Sequence, residues 1–319
     1  MSPLRTLLCA LLLLAWQLGP GAWAQSRFTI LTYNTENTFD TLAAPGGGDA
    51  DFLPQGSHHW TRARYLRKLR RIAQVMLAAD TLHPVDLAIL QEVESDEALR
   101  QLLSQTPLAA IPYEYVITHS ADPRGINVAL IYSPHTFRLL LTDTIALPGA
   151  ATRQVLYACG LLNSGDTLHL YALHLPSQLG GRKAQHLRAS LCDSIAAHIR
   201  RSTAGSAAPL VLVAGDFNDQ PSASCIRNLC LQAGLINRMQ GLTGGSYKWR
   251  GRWQWLDQML LSPAFAPRCQ TPCALKNDFL LEDDTLYGGK KPFRAFMGPV
   301  WHDGYSDHLP VVLRLGTEP

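Results

Sequence analysis

The chain has 319 residues, of which 47% are hydrophobic and 17% are charged. This composition is too apolar for a disordered chain, and the length suffices for a packed globular core. The net charge of +3 gives no overall basis for binding a long polyanion, which would need a local basic patch.

The first 24 residues have the features of a secretory signal peptide. Arg5 precedes an apolar stretch at residues 7–18, which is too short to cross a bilayer, and Ala22-Trp23-Ala24 matches the small-x-small cleavage pattern. We therefore expect an exported chain that begins at Gln25, resides in a periplasm or outside the cell, and has no stable membrane anchor. The alternative, an uncleaved anchor, is disfavoured because no later stretch reaches membrane-spanning length.

Residues 25–319 contain no long Ser/Pro-rich or charged linker, which favours one domain. Apolar, β-rich stretches predict buried strands at 28–33, 86–90, 126–132, 168–173, 210–214, 256–261 and 309–315. Helical spacing predicts helices at 61–79, 95–103, 182–200 and 223–232. Strands and helices therefore interleave, as in a layered α/β domain. Two Gly/Pro-rich segments, 43–57 and 287–304, predict long surface loops of the kind that frame a site.

The cysteines leave the disulfide pattern open. After the predicted signal peptide, which contains Cys9, six remain: Cys159, Cys192, Cys225, Cys230, Cys269 and Cys273. An even number in an exported chain permits disulfides, and Cys225/Cys230 and Cys269/Cys273 are close enough in sequence to bridge locally. Buried free thiols are the alternative. A zinc site is disfavoured because neither pair has the two-residue spacing of such sites.

Polar residues gather where the predicted strands end, which is where side chains leave a sheet and ligand sites form. Six segments of the chain contribute such residues: Asn34, Glu92, His174, Asp216 with Asn218, Asp257, and Asp307 with His308. Asp216 and Asn218 would lie on the same side of an extended chain. Asp257 is an acid within an apolar strand and needs a partner, for which His308 is the candidate.

Each residue also has a purely structural explanation. Asn34 and Asp216 could serve turns, Glu92 could stabilise the first turn of the next helix, and His174 could be a hydrogen-bonded structural histidine. A structural explanation is reasonable for any one segment. It is not reasonable for all six segments at once, in this order.

In these segments the sequence resembles the endonuclease/exonuclease/phosphatase superfamily, whose fold is that of deoxyribonuclease I. The resemblance spans nearly all of residues 25–319. It is carried by Leu31-Thr32-Tyr33-Asn34-Thr35-Glu36-Asn37, Leu90-Gln91-Glu92-Val93, His174 with Pro176-Ser177, Gly215-Asp216-Phe217-Asn218, Trp255-Leu256-Asp257-Gln258 and Ser306-Asp307-His308-Leu309-Pro310-Val311. The resemblance implies a four-layer α/β/β/α sandwich with two central mixed β-sheets, and metal-dependent cleavage of a phosphoester.

The resemblance also implies a role for each residue. Glu92 would bind Mg²⁺ or Mn²⁺, with Asn34 near the metal and Asp307 in or beside its shell. Asp216 would position or deprotonate the attacking water, and Asn218 would orient it. His174 and His308 would donate hydrogen bonds to the phosphate, and Asp257 would orient His308. Arg124 would contact substrate phosphate, although a solvated loop arginine fits its position equally well.

The substrate is less well determined, because loops set specificity on this scaffold. Two segments bear on nucleic acid. The six basic residues of segment 62–71 favour a solvated helix face, and the aromatic and basic segment 247–255 predicts either a stacking surface or a hairpin whose tryptophans pack into the core.

Three functions follow. Our first hypothesis is an exported, monomeric phosphodiesterase of nuclease type, whose partner is a phosphoester substrate such as a nucleic acid. The alternatives are a phosphatase or a lipid or inositol phosphodiesterase on the same scaffold, and a catalytically silent binding module. The presence of both Glu92 and Asp307 argues against the silent module. The absence of an apparent membrane-insertion loop mildly disfavours a lipid substrate.

Overall fold

A computed structural model describes residues 27–44 and 47–316. The predicted signal peptide, residues 1–24, lies outside the described residues, and Cys9 with it. In the part of the chain that is described, no helix combines the length and the apolar character needed to span a bilayer.

The α-helices agree with the predicted ones to within two residues at each end. They are α1 (Arg62–Ala78), α2 (Asp96–Ser104), α3 (Gly181–Ser202) and α4 (Ser224–Ala233). The side chains of Thr61 and Ser95 accept hydrogen bonds from backbone N–H groups in the first turns of α1 and α2. Gly234 ends α4 in the left-handed conformation, which costs glycine little.

The strands include all seven that the sequence predicts. In chain order they are β1 (Phe28–Thr38), β2 (Leu87–Val93), β3 (Glu114–Ile117), β4 (Asn127–Tyr132), β5 (Phe137–Ile145), β6 (Val155–Leu162), β7 (Thr167–His174), β8 (Leu210–Asp216), β9 (Ile236–Asn237), β10 (Tyr247–Trp249), β11 (Arg252–Gln254), β12 (Asp257–Leu261), β13 (Cys273–Ala274), β14 (Leu281–Asp283), β15 (Lys290–Pro292), β16 (Phe296–Met297), β17 (Val300–Trp301) and β18 (Val311–Leu315).

Two six-stranded mixed sheets dominate the fold. The first has the order β13-β18-β1-β2-β4-β3, and the second has the order β5-β6-β7-β8-β12-β9. In the first, β1 and β2 are parallel, and in the second β7 and β8 are parallel. The other strand pairs of both sheets are antiparallel.

Side-chain alternation along β1 shows how the layers form. Leu31 packs with residues of α1 on one face of the first sheet, whereas Ile30 packs between the sheets against residues such as Leu170. On the far side of the second sheet, Val213 packs against Ile195 of α3 and against residues of α4. The order of layers is therefore helices, sheet, sheet, helices, which confirms the predicted four-layer α/β/β/α sandwich.

Three longer strands, β3, β5 and β6, were not predicted. The nine-residue β5 forms an edge of the second sheet, and most of its side chains are not buried. Its Leu140 and Leu141 are 52% and 56% exposed, so the apolar residues do not follow the in-and-out alternation of a half-buried strand.

The two Gly/Pro-rich segments, predicted to be surface loops, contribute buried side chains to the core. Phe52, in the first segment, is buried and stacks on Phe39 with ring centroids 4.2 Å apart. It also packs edge-on against Phe296 of the second segment, at 5.6 Å. The second segment carries β16 and β17 and brings Arg294 and Ala295 to the site described below.

All six cysteines beyond the predicted signal peptide are free thiols. Neither of the two local bridges that the spacing permitted is present. Cys225 and Cys230 lie on α4, where five residues correspond to about 500° of rotation, so the two side chains point to different faces.

Candidate active site

A cavity of about 490 Å³ lies where β1, β2, β7 and β8 end. The residues that line it include eight of the nine predicted site residues: Asn34, Glu92, Arg124, His174, Asp216, Asn218, Asp307 and His308. The ninth, Asp257, lies directly behind His308. The sandwich thus brings together segments from both sheets, as the sequence predicted.

An irregularity between β1 and β2 shapes one wall of the cavity. Their register shifts between Asn34 and Thr38 on β1, and three cavity residues there, Glu36, Asn37 and Glu92, have φ values of 52°, 57° and 64°. Positive φ is rare for residues other than glycine and costs about 1–3 kcal/mol each. Such bulges re-aim side chains, and here they turn the ends of two strands toward the cavity. Glu92 therefore belongs to the strand end and not to the first turn of α2.

Gly215 explains how His174 comes to lie beside Asp216. It has a φ of 144°, and a Cβ atom at this position would lie 2.0 Å from the carbonyl oxygen of Leu173. Only glycine allows β7 and β8 to approach this closely. In the resulting register, His174 is the direct partner of Asp216, and its Nε2 is 3.5 Å from Asp216 Oδ2.

Asp216 is buried and hydrogen-bonded on both oxygens. Oδ1 accepts from the backbone N–H of Asn218 at 2.7 Å, which is the predicted turn contact. Oδ2 accepts from Asn34 Nδ2 at 3.0 Å. Burial raises the pKa of Asp216 to about 7, and Asp257 adds to the rise, whereas His308 opposes it. Asp216 therefore makes the turn contact and also lines the cavity, so the turn contact does not exclude a role in the site.

His308 and Asp257 form the predicted pair. His308 Nδ1 lies 2.6 Å from Asp257 Oδ2, and both side chains are buried. Burial acts to lower the pKa of His308, but the carboxylates of Asp257 and Asp216 outweigh it and raise the pKa well above its usual range. The raised pKa favours the charged form of His308, whose Nε2 lies 3.9 Å from Asp216 Oδ2.

His174 has the opposite electrostatic state. Burial lowers its pKa well below the usual range, and the nearby cations Arg153 and Arg124 lower it further. Its Nδ1 is buried and has no hydrogen-bond partner among the described residues, which is unusual for a purely structural histidine. The surroundings of the two imidazoles thus shift their pKa values in opposite directions, which favours the neutral form of His174 and the charged form of His308.

Arg153, which the sequence did not single out, holds two walls of the cavity together. Its guanidinium donates to the carbonyl oxygens of His174 at 2.9 Å and Leu175 at 2.7 Å, and to Asp122 Oδ2 at 2.7 Å. Asp122 in turn accepts from the backbone N–H of Arg124 at 3.0 Å. Arg153 is 5% exposed, so it is a buried connector between the end of β7 and the Arg124 loop.

Glu36 and Arg294 are two further cavity residues that the sequence analysis did not assign. Glu36 accepts from the backbone N–H of Ala295 at 2.6 Å and from Arg294 Nη2 at 3.3 Å. Arg294 also contacts Asp307 Oδ2 at 3.2 Å. Burial and the nearby Asp307 raise the pKa of Glu36 to about 7, although Lys68 and Arg294 oppose the rise. The position of Glu36, two residues after Asn34 in a strand, was the available signal, whereas Arg294 lies in a Gly/Pro-rich segment with none.

The oxygen donors along this wall fit a hard divalent cation. Glu92 Oε2 accepts from the backbone N–H of Asn37, whereas the nearest nitrogen atoms to Oε1, on the Arg124 guanidinium and the His174 imidazole, are each 3.9 Å away. Oε1 therefore offers lone pairs to the cavity. Asn34 and Asp307 line the same cavity, and carboxylate and amide oxygens are the type of ligand that Mg²⁺ and Mn²⁺ prefer.

A second group of possible ligands lies deeper. Ligand atoms of Asp216, Asp257 and His308 lie within 4.8 Å of one another, and all three residues are buried. His308 Nδ1 and Asp257 Oδ2 are already hydrogen-bonded to each other at 2.6 Å, so binding a cation through these two atoms would require this hydrogen bond to break. These residues fit acid–base chemistry better than metal binding.

The basic residues considered for nucleic-acid binding are largely engaged within the protein. In α1, Arg67 and Arg71 pair with Asp303 at 2.9 and 3.0 Å, and the buried Lys68 donates to the carbonyl of Tyr305. In the hairpin of β10 and β11, Lys248 Nζ lies 2.8 Å from Asp284 Oδ2. Two tryptophans of segment 247–255 differ in exposure: Trp255, which follows the hairpin, is buried in the core, whereas Trp249, on β10, is half exposed.

Comparison with protein families gives a match over almost the whole described chain. Residues 29–317 match the model of the Endonuclease/Exonuclease/phosphatase family. A comparison with curated protein sequences finds no match.

Solved structures with the same fold include two that cover most of this chain. A mannosyl-6-phosphatase of Bacteroides thetaiotaomicron is 16% identical, with a TM-score of 0.60, and the match covers 91% of this chain and 100% of that one. A truncated TDP2 of Caenorhabditis elegans is 15% identical, with a TM-score of 0.59, and the match covers 92% and 98%. At these identities the likeness concerns the fold.

Proposed function

Because the chain belongs to the Endonuclease/Exonuclease/phosphatase family, we propose that this cavity binds a divalent cation and hydrolyses a phosphoester by attack of water. Members of the family hydrolyse phosphoester bonds, and this chain is a hydrolase of that class. The observation that carries the proposal is that an oxygen-rich wall, a buried carboxylate with a pKa raised to about 7 and a histidine with a raised pKa lie together in one cavity.

The cation would be held by Glu92, with Asn34 and Asp307 beside it. When bound, Mg²⁺ or Mn²⁺ would neutralise charge on the phosphoester and make its phosphorus more electrophilic. Family enzymes generally depend on divalent metals, and the oxygen ligands of this wall support the same dependence here.

The protein's own groups supply acid–base chemistry and charge stabilisation. Asp216 would accept the proton of the attacking water, since its raised pKa makes it a base that works near neutral pH. Asn218 would orient that water. His308, charged through Asp257, and the neutral His174 would donate hydrogen bonds to phosphate oxygens as negative charge develops on them.

Two cavity arginines would complete the phosphate site. Arg124 is held by the Asp122–Arg153 connection, and Arg294 is held by Glu36 and Asp307. These contacts fix the backbone of Arg124 and the guanidinium of Arg294, and guanidinium groups at these two positions suit recognition of a tetrahedral anion.

We propose two alternatives for the type of ester that is hydrolysed, a phosphodiester or a small phosphate monoester. The form that the sequence favours is an exported phosphodiesterase of nuclease type, whose substrate is a phosphoester such as nucleic acid. The alternative, a phosphatase acting on a small ester, is supported by the compact cavity and by the internal pairing of Arg67, Arg71 and Lys248. One structural neighbour is by name a mannosyl-6-phosphatase, which is in keeping with this form.

Turnover of generic esters tests the proposed chemistry. We expect the purified protein to release nitrophenol from p-nitrophenyl phosphate or bis(p-nitrophenyl) phosphate with Mg²⁺ or Mn²⁺, and to lose this activity with excess chelator. The Glu97→Gln variant, on the outer helix α2, serves as a control that keeps the activity. Turnover that persists in chelator would refute the metal-assisted mechanism.

A further inference from the structure

Two exposed apolar side chains, which we call the rim, line the cavity in addition to its charged groups. Trp249, on β10, and Leu179, in a short 3₁₀ turn (Gln178–Gly180), both line the cavity. Trp249 is 51% exposed and Leu179 is 94% exposed. Exposed apolar side chains beside a polar site are typical of a surface that covers the apolar part of a ligand.

The hairpin that carries Trp249 is firmly held. Lys248 pairs with Asp284 at 2.8 Å and donates to the carbonyl of Gly288, also at 2.8 Å. Gly251, with a φ of 80°, fits closely against Tyr287, because a Cβ atom there would lie 3.0 Å from the Cβ of Tyr287. The indole of Trp249 is thus presented by a rigid element, which lowers the entropy cost of using it as a contact surface.

The hairpin is also tied directly to the reacting end of the cavity. Tyr247 forms a backbone bridge with His308, and the two rings lie 4.9 Å apart. Trp249 is two residues further along the same strand, so it lies on the same side as Tyr247. The guanidinium of Arg250 lies over the Trp249 ring, 5.5 Å from its centroid, and further limits its movement.

We propose that Trp249 and Leu179 form a subsite for a single ring in the leaving group of the ester, so that the substrate is a compact, ring-bearing phosphate ester. This inference rests on the proposed hydrolase function of the same cavity. A cavity of about 490 Å³ is of the size that holds one small organic ligand. Indole surfaces bind both the planar face of a base and the apolar face of a sugar, so a nucleoside or a sugar ring meets the requirement.

The test compares three monoesters that differ in the group attached to phosphate. Adenosine 5′-monophosphate carries a planar base, glucose 6-phosphate carries a sugar ring, and glycerol 3-phosphate carries no ring. We expect the wild-type protein to have a higher kcat/KM for at least one ring-bearing ester than for glycerol 3-phosphate. Which of the two is preferred identifies the kind of ring.

Variants of the rim then locate the source of that preference. The relevant quantity is the kcat/KM for the preferred ring ester divided by the kcat/KM for glycerol 3-phosphate. We expect Trp249→Ala to lower this ratio roughly 10-fold. Leu179→Ala should lower it less, and Trp249→Phe should lower it least. Leu231→Ala, which removes an 81% exposed leucine from α4, is the matched control and should leave the ratio unchanged.

The outcomes separate this inference from the proposed function. If the protein hydrolyses the esters but Trp249→Ala lowers kcat/KM equally for all three, or changes none, the subsite is refuted while the hydrolase function stands. A wild-type protein that prefers an oligonucleotide over all three monoesters would also overturn it. If no phosphoester is hydrolysed with Mg²⁺ or Mn²⁺, the proposed function fails, and the subsite fails with it.

Discussion

The side-chain amide of Asn34 donates a 3.0 Å hydrogen bond to the carboxylate of Asp216 and so joins the ends of β1 and β8, which belong to different sheets. The carbonyl oxygen of the same amide accepts from the backbone N–H of Glu36 at 3.0 Å, which fixes the orientation of the amide. Because 182 residues separate the two partners, this contact forms only when both sheets pack with their strand ends together.

Replacing the carboxylate of Asp216 tests its role as the base. Asp216→Asn keeps the size of the side chain but cannot accept the proton of water, so we expect kcat to fall by about 10²–10⁴. Thermal unfolding should show that the fold is retained. Asp193→Asn, which changes a surface acid on α3, is the control. A variant that keeps more than a tenth of the wild-type kcat would show that Asp216 is not the base.

Much of the site was predictable because its motifs are local. Asn34, Asp216 and Asp307 each directly follow or precede an apolar strand, and such patterns can be read from one segment at a time. The alternation of strands and helices indicated a layered α/β domain, and the order of the four layers came from the resemblance to the family. What the sequence could not supply was which of these segments touch.

The residues that escaped prediction act through distant contacts. Arg153 acts through His174, Leu175 and Asp122, and nothing near it in the sequence indicates these partners. Arg294 belongs to a Gly/Pro-rich segment without periodicity and reaches Glu36 across 258 residues. The edge strand β5 was missed because its exposed leucines break the alternation on which the prediction depends.

The pair of Asp257 and His308 predicts a change in pH dependence. Asp257→Asn removes the negative charge that keeps the pKa of His308 raised, so burial will lower that pKa. A group whose raised pKa falls loses its proton at a lower pH. We therefore expect the alkaline limb of the kcat/KM profile between pH 5 and 9 to move to lower pH, with a loss of roughly 10²-fold or more at pH 8.

Another Asp–His pair provides the control for this change. Asp143 and His198 lie 3.7 Å apart and do not line the cavity, so Asp143→Asn should leave the profile unchanged. An Asp257→Asn protein with an unshifted alkaline limb would contradict the role given to the charged His308.

Arg153 is predicted to position the substrate-facing groups. Arg153→Lys keeps a positive charge but cannot make the three contacts of the guanidinium, so the end of β7 and the Arg124 loop should lose their connection. We expect kcat/KM to fall roughly 10- to 100-fold. The exposed Arg138→Lys is the matched control.

A positioning role for Arg153 has a specific kinetic signature. If the residue acts through Arg124, then Arg124→Lys and the double variant should lose nearly the same activity, because the second change removes a connection that no longer matters. Fully additive losses would indicate that Arg153 acts elsewhere.

Asp80 is predicted to stabilise the fold far from the cavity. Its buried carboxylate lies 2.8 Å from Arg27 and accepts from Thr29 Oγ1 at 2.8 Å. Burial acts to raise the pKa of Asp80, but these groups, the backbone N–H of Leu82 and Arg314 outweigh it and lower the pKa. A carboxyl with a lowered folded pKa stabilises above its unfolded pKa of about 3.9, and this stabilisation is lost as the pH falls through the folded value.

Urea unfolding of Asp80→Asn checks this account. We expect the free energy of unfolding to fall by about 2 kcal/mol at pH 7 and by less near pH 4. Asp283→Asn removes an exposed partner of Lys290 and should change the stability little. A loss for Asp80→Asn that grows toward acidic pH would have the wrong sign.

The central claim is that Glu92 helps to hold a divalent cation where the phosphoester is cleaved. It is tested most directly by measuring Mn²⁺ binding by calorimetry and Mn²⁺-dependent phosphoester turnover on the same preparations of wild-type and Glu92→Gln protein. We predict that the wild-type protein binds Mn²⁺ and needs it for turnover, whereas Glu92→Gln loses affinity at least roughly 10-fold and loses turnover with it. Unchanged Mn²⁺ affinity in Glu92→Gln, or turnover by the metal-free wild-type protein, would contradict the account.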